Sequence, residues 1–257
     1  MQDNVKYTEK IVIPCYDTDC HWRLKPVSFM NYAQEVANRH ATLIGFGYDD
    51  LIKSQTAWVL SRMHVIFKRI PLWRDKVTLS TWHKGLERLF YLRDFRMKAE
   101  DGQDLIVGTT SWVVLNLQNR RMVRDPHLLD EDTKNMENAI ETPCDKVQMP
   151  KDASPTFVRD HQVSYSDVDM NGHTNNAMYV QWAMDAIDYA LTSEKVLAEL
   201  RISFNHETRP GQTVSLWHLV RENGNIHMIE GRTSEASAFC VEFTFADSSD
   251  DRTDLSI

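Results

Sequence analysis

The chain repeats itself, yet only one copy of the repeat carries a dense polar cluster. Its second half contains Asp167-Val168-Asp169-Met170-Asn171-Gly172-His173-Thr174-Asn175-Asn176 ahead of an amphipathic helical pattern. The equivalent stretch of the first half is Asp17-Thr18-Asp19-Cys20-His21-Trp22. A duplicated fold with one decorated site is the pattern of an enzyme in which one copy does the chemistry.

Three blocks align in order. Asp17-x-Asp19 matches Asp167-x-Asp169 at an offset of 150, Tyr32-Ala33-Gln34 matches Tyr179-Val180-Gln181 at 147, and Thr78 to His83 matches Thr213 to His218 at 135. Shrinking offsets are what duplication followed by loop deletion leaves. Each copy then reads alike: a short strand and a polar turn, one helix, and a series of strands. The helix is marked by Phe29, Ala33, Val36 and Ala37 in the first copy and by Val180, Ala183, Met184 and Ile187 in the second. Strands are expected over 58–67, 76–82, 90–97 and 105–117, and again over 200–204, 213–220, 226–232 and 238–245. Turn signals such as Glu100-Asp101-Gly102-Gln103, Pro210-Gly211 and Glu222-Asn223-Gly224-Asn225 separate them.

One helix followed by consecutive strands is an α+β pattern, in which an antiparallel sheet buries the helix on one face. The expected architecture is a tandem double hotdog, two copies of an antiparallel sheet wrapped round a central helix. The copies divide the chain into a first domain over 1–125, a proline-containing linker over 126–156 with a short helix near 130–138, a second domain over 157–247, and a polar tail over 248–257.

Composition narrows the function classes. The net charge of −8 comes entirely from the second part: residues 1–150 hold 21 Lys and Arg against 20 Asp and Glu, residues 151–257 hold 8 against 17. That balance excludes a basic nucleic-acid face and leaves room for an acidic protein partner on the first half. No apolar run approaches the roughly 20 residues of a membrane span, and the amino terminus lacks a secretory signal, so a cytoplasmic protein is expected. Cys15, Cys20, Cys144 and Cys240 do not have zinc spacing and read as reduced thiols.

Asp169, Asn171 and His173 alternate over five residues, so an extended backbone would project all three to one side. A carboxylate, an amide and an imidazole together can polarise and hydrolyse a carbonyl. Asn175 and Asn176 sit where the helix begins, and its positive end would favour an oxyanion. The same residues also suit plain turn and cap chemistry. One His among oxygen donors is a poor metal set, so neither a metal nor an organic cofactor is expected.

The segment Ser166 to Tyr179 resembles the signature of the fatty acyl-acyl carrier protein thioesterases, and the tandem organisation extends the resemblance over almost the whole chain. The resemblance implies a double hotdog whose second domain bears the catalytic residues and whose first domain shapes the acyl pocket. It places Asp169, Asn171 and His173 on the family's catalytic Asp, Asn and His. The family's Glu-Cys pair falls on Glu207-Thr208, within Phe204-Asn205-His206-Glu207-Thr208-Arg209. Glu207 keeps the carboxylate, but Thr208 replaces the thiol that a cysteine nucleophile needs. Cys240 lies in a strand pattern and reads as a core residue, so carboxylate chemistry is expected, with Glu207 or Asp169 acting on water or on the thioester and His173 moving the proton.

The first copy lacks the ordered Asp, Asn and His set and reads as non-catalytic. Met30, Val36, Trp58, Leu60 and Met63 are candidates for the acyl pocket, and Arg62, Lys68, Arg69, Arg74 and Lys76 for a carrier-facing surface. The expected reaction is hydrolysis of fatty acyl-acyl carrier protein to a free fatty acid. The partner is acyl carrier protein bearing its phosphopantetheine-linked chain, with a homodimer open as an assembly state. The absence of an organelle transit segment favours the bacterial type of enzyme. The alternatives are an acyl-coenzyme A thioesterase, a non-catalytic acyl-binding double-hotdog protein and a hotdog dehydratase.

Overall fold

A computed structural model describes residues 5–123, 131–221 and 224–247. The expected tail over 248–257, the first part of the linker and the Glu222-Asn223 turn residues lie outside them. The first copy runs β1 (Tyr7–Val12), α1 (Pro26–Leu43), α2 (Tyr48–Lys53), β2 (Thr56–Phe67), β3 (Lys76–Glu87), β4 (Phe90–Ala99), β5 (Asp104–Asn116) and β6 (Met122–Val123). The second runs β7 (Thr156–Gln162), α3 (Asn176–Met184), α4 (Tyr189–Glu194), β8 (Lys195–Phe204), β9 (Thr213–Arg221), β10 (Ile226–Arg232) and β11 (Ser237–Asp247).

All strands join one antiparallel sheet in the order β1-β3-β4-β5-β2-β8-β11-β10-β9-β7, with β6 beside β5. Read from either end, the order passes through equivalent strands, so the chain has a pseudo-twofold axis at the β2–β8 seam, where Met63 pairs with Ile202 and Val65 with Leu200. Its two edges are the charged, short strands β1 and β7, which discourage further pairing. The expected double hotdog is therefore present, but its two helices share one core. Phe29, Met30, Ala33 and Val36 of α1 and Ala177, Val180, Trp182 and Ala183 of α3 belong to a single buried cluster with residues from both half-sheets.

α1 starts on Pro26, whose fixed φ suits the first helical position, and its buried residues follow the helical period. α3 is shorter than the sequence pattern suggests: it ends at Met184, and Ile187 follows in a turn before α4. The short helix expected near 130–138 is reduced to one 3₁₀ turn, Glu131–Thr133. The backbone beyond it is committed to the sheet instead. Asn135 N donates to His83 O (3.0 Å), Ala139 N to Asp94 Oδ2 (2.8 Å) and Val147 N to Ser203 Oγ (2.8 Å).

The twofold corrects two of the three sequence blocks. The Asp17/Asp167 offset holds: 3₁₀ turns at Cys15–Asp17 and Tyr165–Asp167 lead to isolated bridges, Thr18 with Leu24 and Val168 with Thr174. However, Asp17 accepts a short hydrogen bond from Tyr32, and Asp167 accepts its counterpart from Trp182 Nε1 (3.1 Å), so Tyr32 corresponds to Trp182 and not to Tyr179. Likewise Val12 pairs with Lys76, while its counterpart Gln162 pairs with Thr213, so Thr78 corresponds to Ser215 and not to Thr213. One match had slipped by three residues in a helix and the other by two in a strand. Those shifts nearly preserve the buried face in each element, so the hydrophobic pattern does not resist them.

Asp167 fixes the polar loop to this frame. It is almost fully buried, and besides Trp182 it accepts from Ser164 N (2.7 Å) and His161 Nε2 (3.0 Å). Burial alone would raise its pKa, but hydrogen bonds from His161, Ser164 and Trp182 together outweigh it and hold the carboxyl below its usual range. The linked stability is present above the unfolded carboxyl range and is lost as pH falls through the lowered folded value. Asp167→Ala is expected to cost about 2–3 kcal/mol in urea unfolding at neutral pH, and less in acid.

Candidate active site

The decorated loop closes between Val168 and Thr174. Inside it Asp169 N donates to His173 O (3.0 Å) and Gly172 N to Asp169 O (3.0 Å), while Gly172 takes φ +75°, which a residue without Cβ adopts freely. The first copy has the same loop: Asp19 N donates to Arg23 O (2.8 Å), and Trp22 occupies the glycine position at φ +60°. Thus Asn171 corresponds to His21 and His173 to Arg23.

This loop is a turn and not the extended backbone expected from the alternation of its residues. As a result the predicted set divides. Asp169 directs its carboxylate onto its own loop, accepting from Asn171 N (2.8 Å), and it is not on the cavity wall. Asn171, His173 and Glu207 do line one cavity. At the helix terminus two of the N–H groups are taken within the chain: Asn175 caps α3 through Ala177 N (2.9 Å), and Met178 N is bonded to Asn175 O (2.9 Å).

Glu207 arrives from the loop after β8, and Thr208 positions it. Thr208 is fully buried, its hydroxyl 2.7 Å from Thr174 Oγ1 and 3.0 Å from Tyr179 Oη. Thr208 N donates to Tyr179 Oη (3.0 Å), and Thr174 N donates to Thr208 O (3.0 Å). The threonine that stands in place of the expected cysteine therefore ties three segments together, and it is absent from the cavity wall. Cys240 is no substitute, because burial pushes its thiol up to about 12.

Beside Thr208, Glu207 Oε2 lies 3.5 Å from His173 Nε2. Its other oxygen, Oε1, accepts from Arg120 Nη2 (2.8 Å) and Arg209 Nη2 (3.0 Å). Burial opposes the charge of Glu207, but the two guanidinium groups and the His173 charge outweigh it and hold the carboxyl below its usual range. Arg120 belongs to the first copy, at the turn after β5, where it takes φ +59°. That conformation costs roughly 1 kcal/mol for a residue with a Cβ. Nothing in the sequence around Arg120 announces a partner 87 residues away.

The cavity holds about 490 Å³, within the range of small-ligand sites. Its apolar wall comes from the first copy, including Ala41, Phe46, Trp58, Tyr91, Trp112 and Leu117, and the second copy contributes Met170, Asn171, His173 and Glu207. Of the pocket residues expected from sequence, Trp58 is on this wall. Met30, Val36 and Met63 are in the shared core, and Leu60 is buried off the wall. The predicted basic surface is largely engaged: Lys68 pairs with Asp104 (3.1 Å), Lys76 with Glu100 (3.9 Å), and Arg62 and Arg74 lie over the Phe90 and Trp73 rings.

A tandem hotdog with one polar constellation at the mouth of an apolar cavity defines a class of acyl-handling proteins. Comparison with known proteins gives the family. Residues 4–131 match the acyl-ACP thioesterase N-terminal domain and residues 151–244 the acyl-ACP thioesterase C-terminal domain, and the chain belongs to this family. It is 26% identical over 238 residues to an oleoyl-acyl carrier protein thioesterase of Coriandrum sativum, covering 83% of this chain and 62% of the relative. It is 22% identical to a palmitoyl-acyl carrier protein thioesterase of Cuphea hookeriana, covering 91% and 63%. The chain thus spans less than two thirds of the length of these relatives. Among solved structures, an acyl-ACP thioesterase from Bacteroides thetaiotaomicron superposes with a TM-score of 0.86 at 23% identity, covering 96% of this chain and 100% of that one. A 12:0-ACP thioesterase from Umbellularia californica gives 0.86 at 19%, covering 95% and 98%.

Thr208→Val keeps the shape but removes the hydroxyl, leaving Thr174 and Tyr179 short of a partner. A loss of about 1–3 kcal/mol in urea unfolding is expected, with the near-ultraviolet dichroism of the folded state retained.

Proposed function

We propose that the protein hydrolyses acyl thioesters carried on acyl carrier protein, releasing a free fatty acid. The observation that carries this reading is the convergence of Asn171, His173 and Glu207 on the wall of one largely apolar cavity. In this division of labour the first copy shapes the acyl pocket and the second supplies the chemistry. The relatives' printed names supply the carrier-linked substrate.

The geometry favours Glu207 over Asp169 as the working carboxylate, since Asp169 is turned onto its own backbone. A carboxylate held below its usual range is a weak proton acceptor, so Glu207 orients His173 and stabilises the imidazolium. His173 is the base, because imidazole is suited to proton transfer near neutral pH. Water gives a proton to His173 as its oxygen bonds to the thioester carbon, and the Asn171 amide donates to the carbonyl oxygen as negative charge develops there. The C–S bond then breaks, and the proton passes from His173 to the departing sulfur. The products are a fatty acid and the carrier thiol.

His173→Ala and Glu207→Ala are expected to lower kcat by about 10²-fold or more, with unfolding midpoints little changed. Thiol release from a graded panel of acyl-carrier-protein and acyl-coenzyme A thioesters checks this. Near-normal turnover in both variants removes the assignment, and turnover confined to the coenzyme A thioesters replaces the carrier protein as substrate. Arg120→Met removes one of the two guanidinium groups that hold the Glu207 carboxyl below its usual range, which favours its protonation. The acid limb of kcat/KM is therefore expected to move to higher pH in a pH-rate profile.

A further inference from the structure

The pseudo-twofold gives the catalytic cavity a mate. A second cavity, of about 500 Å³, is built from the counterparts of the same parts: the first-copy polar loop, the end of α3, α4 and β8. The hydrogen bond Leu24 N to Pro71 O (2.8 Å) is the counterpart of Thr174 N to Thr208 O (3.0 Å). Pro71 therefore corresponds to Thr208, and Ile70 stands where Glu207 stands in the catalytic copy. The three working side chains are thus replaced as a set: Asn171 by His21, His173 by Arg23, and Glu207 by Ile70.

The replacements remove the proton acceptor and the carboxylate beside it. Arg23 is held in place across the copies, donating from Nε to Asp19 (2.8 Å), from Nη1 to Lys195 O (3.2 Å) and from Nη2 to Thr192 O (2.7 Å). The wall carries the cations Arg23, Lys25, Arg159 and Lys195 against the carboxylates Asp19 and Asp185. Those two carboxylates are already engaged by Arg23 and Arg159. His21 is also on the wall, and its Nε2 has no hydrogen-bond partner among the described residues. The result is a basic cavity in a chain of net charge −8. Its remaining lining is apolar, with Leu24, Val27, Ile70, Ile187, Leu197 and Phe245.

We infer that this mate cavity is a second, non-hydrolytic lipid site that binds a fatty carboxylate. The inference rests on the thioesterase reading only for identifying that ligand as the enzyme's own product. At the catalytic cavity the position of Ile70 is taken by a carboxylate, Glu207, already bonded to Arg120 and Arg209. At the mate cavity a carboxylate meets Lys25, which donates to Tyr16 O (3.2 Å), and Lys195, which donates to Asn225 Oδ1 (2.6 Å) and lies 3.8 Å from the exposed Asp247, with no carboxylate at the Ile70 position, while its alkyl chain finds an apolar wall.

The test is equilibrium binding of dodecanoate to the full chain, measured calorimetrically, which needs no turnover. Ala41→Trp fills the catalytic cavity and is expected to leave one equivalent bound per chain. Ile70→Asp restores a negative charge at the mate cavity and is expected to weaken that binding by about tenfold or more, as is exchange of dodecanoate for the uncharged dodecanol. Val27→Trp, which fills the cavity without changing its charge, is expected to abolish it, and circular dichroism and unfolding midpoints verify that each variant is folded. Loss of all binding in Ala41→Trp, or unchanged affinity in both Ile70→Asp and Val27→Trp, overturns the inference. If no thioester is hydrolysed but the binding pattern holds, the second site stands and the thioesterase reading falls.

Discussion

The antiparallel pairing of β2 with β8 is the contact on which the rest of the molecule depends. Each half-sheet alone would end there in an unpaired strand and leave one side of its helix uncovered. Joining the two strands satisfies both edges and brings α1 and α3 into one apolar cluster. Both cavities follow from this seam, because each is walled by one copy's helix end and closed by the other copy's polar loop. The twofold makes the two places equivalent in backbone and leaves side chains to make them different.

That difference is concentrated in very few positions. The loop around Asp19 has the hydrogen bonds of the loop around Asp169, and even the left-handed residue is kept, with Trp22 accepting a conformation that costs Gly172 nothing. The two loops therefore share backbone geometry and differ in their side chains. Thr208 shows the converse: one residue, changed from the cysteine of the resembling family, makes four polar connections among β8's loop, the decorated loop and α3. Its position is held by structure even where a nucleophile is not needed.

Much of the architecture was legible in the sequence. Strand runs such as Ile226–Arg232 coincide with the observed elements because alternation and turn residues are local signals. Register was not legible, since sliding Tyr32 by a helical turn or Thr78 by a pleat barely changes the face that is buried. The site was legible in identity but not in arrangement. Asn171, His173 and Glu207 meet at the cavity as the motif suggests, whereas the tight turn at Gly172 directs Asp169 elsewhere. Arg120 was invisible for a different reason: its partner lies across the seam, and a surface arginine near a turn carries no mark of long-range pairing. The acyl wall was misjudged because α1 buries Met30 and Val36 against the partner helix, and the end of that helix, near Ala41, reaches the cavity.

The ion pair between Arg120 and Glu207 spans the two copies, so half of the clamp on Glu207 is supplied from each. In an assembly of separate subunits such a clamp would form only as fast and as fully as the subunits meet, and dilution would dismantle it. Here one covalent chain holds the two halves at a high effective concentration, set by the connecting segment and not by the amount of protein present. The candidate site can therefore stay assembled at protein levels where a two-chain version would fall apart.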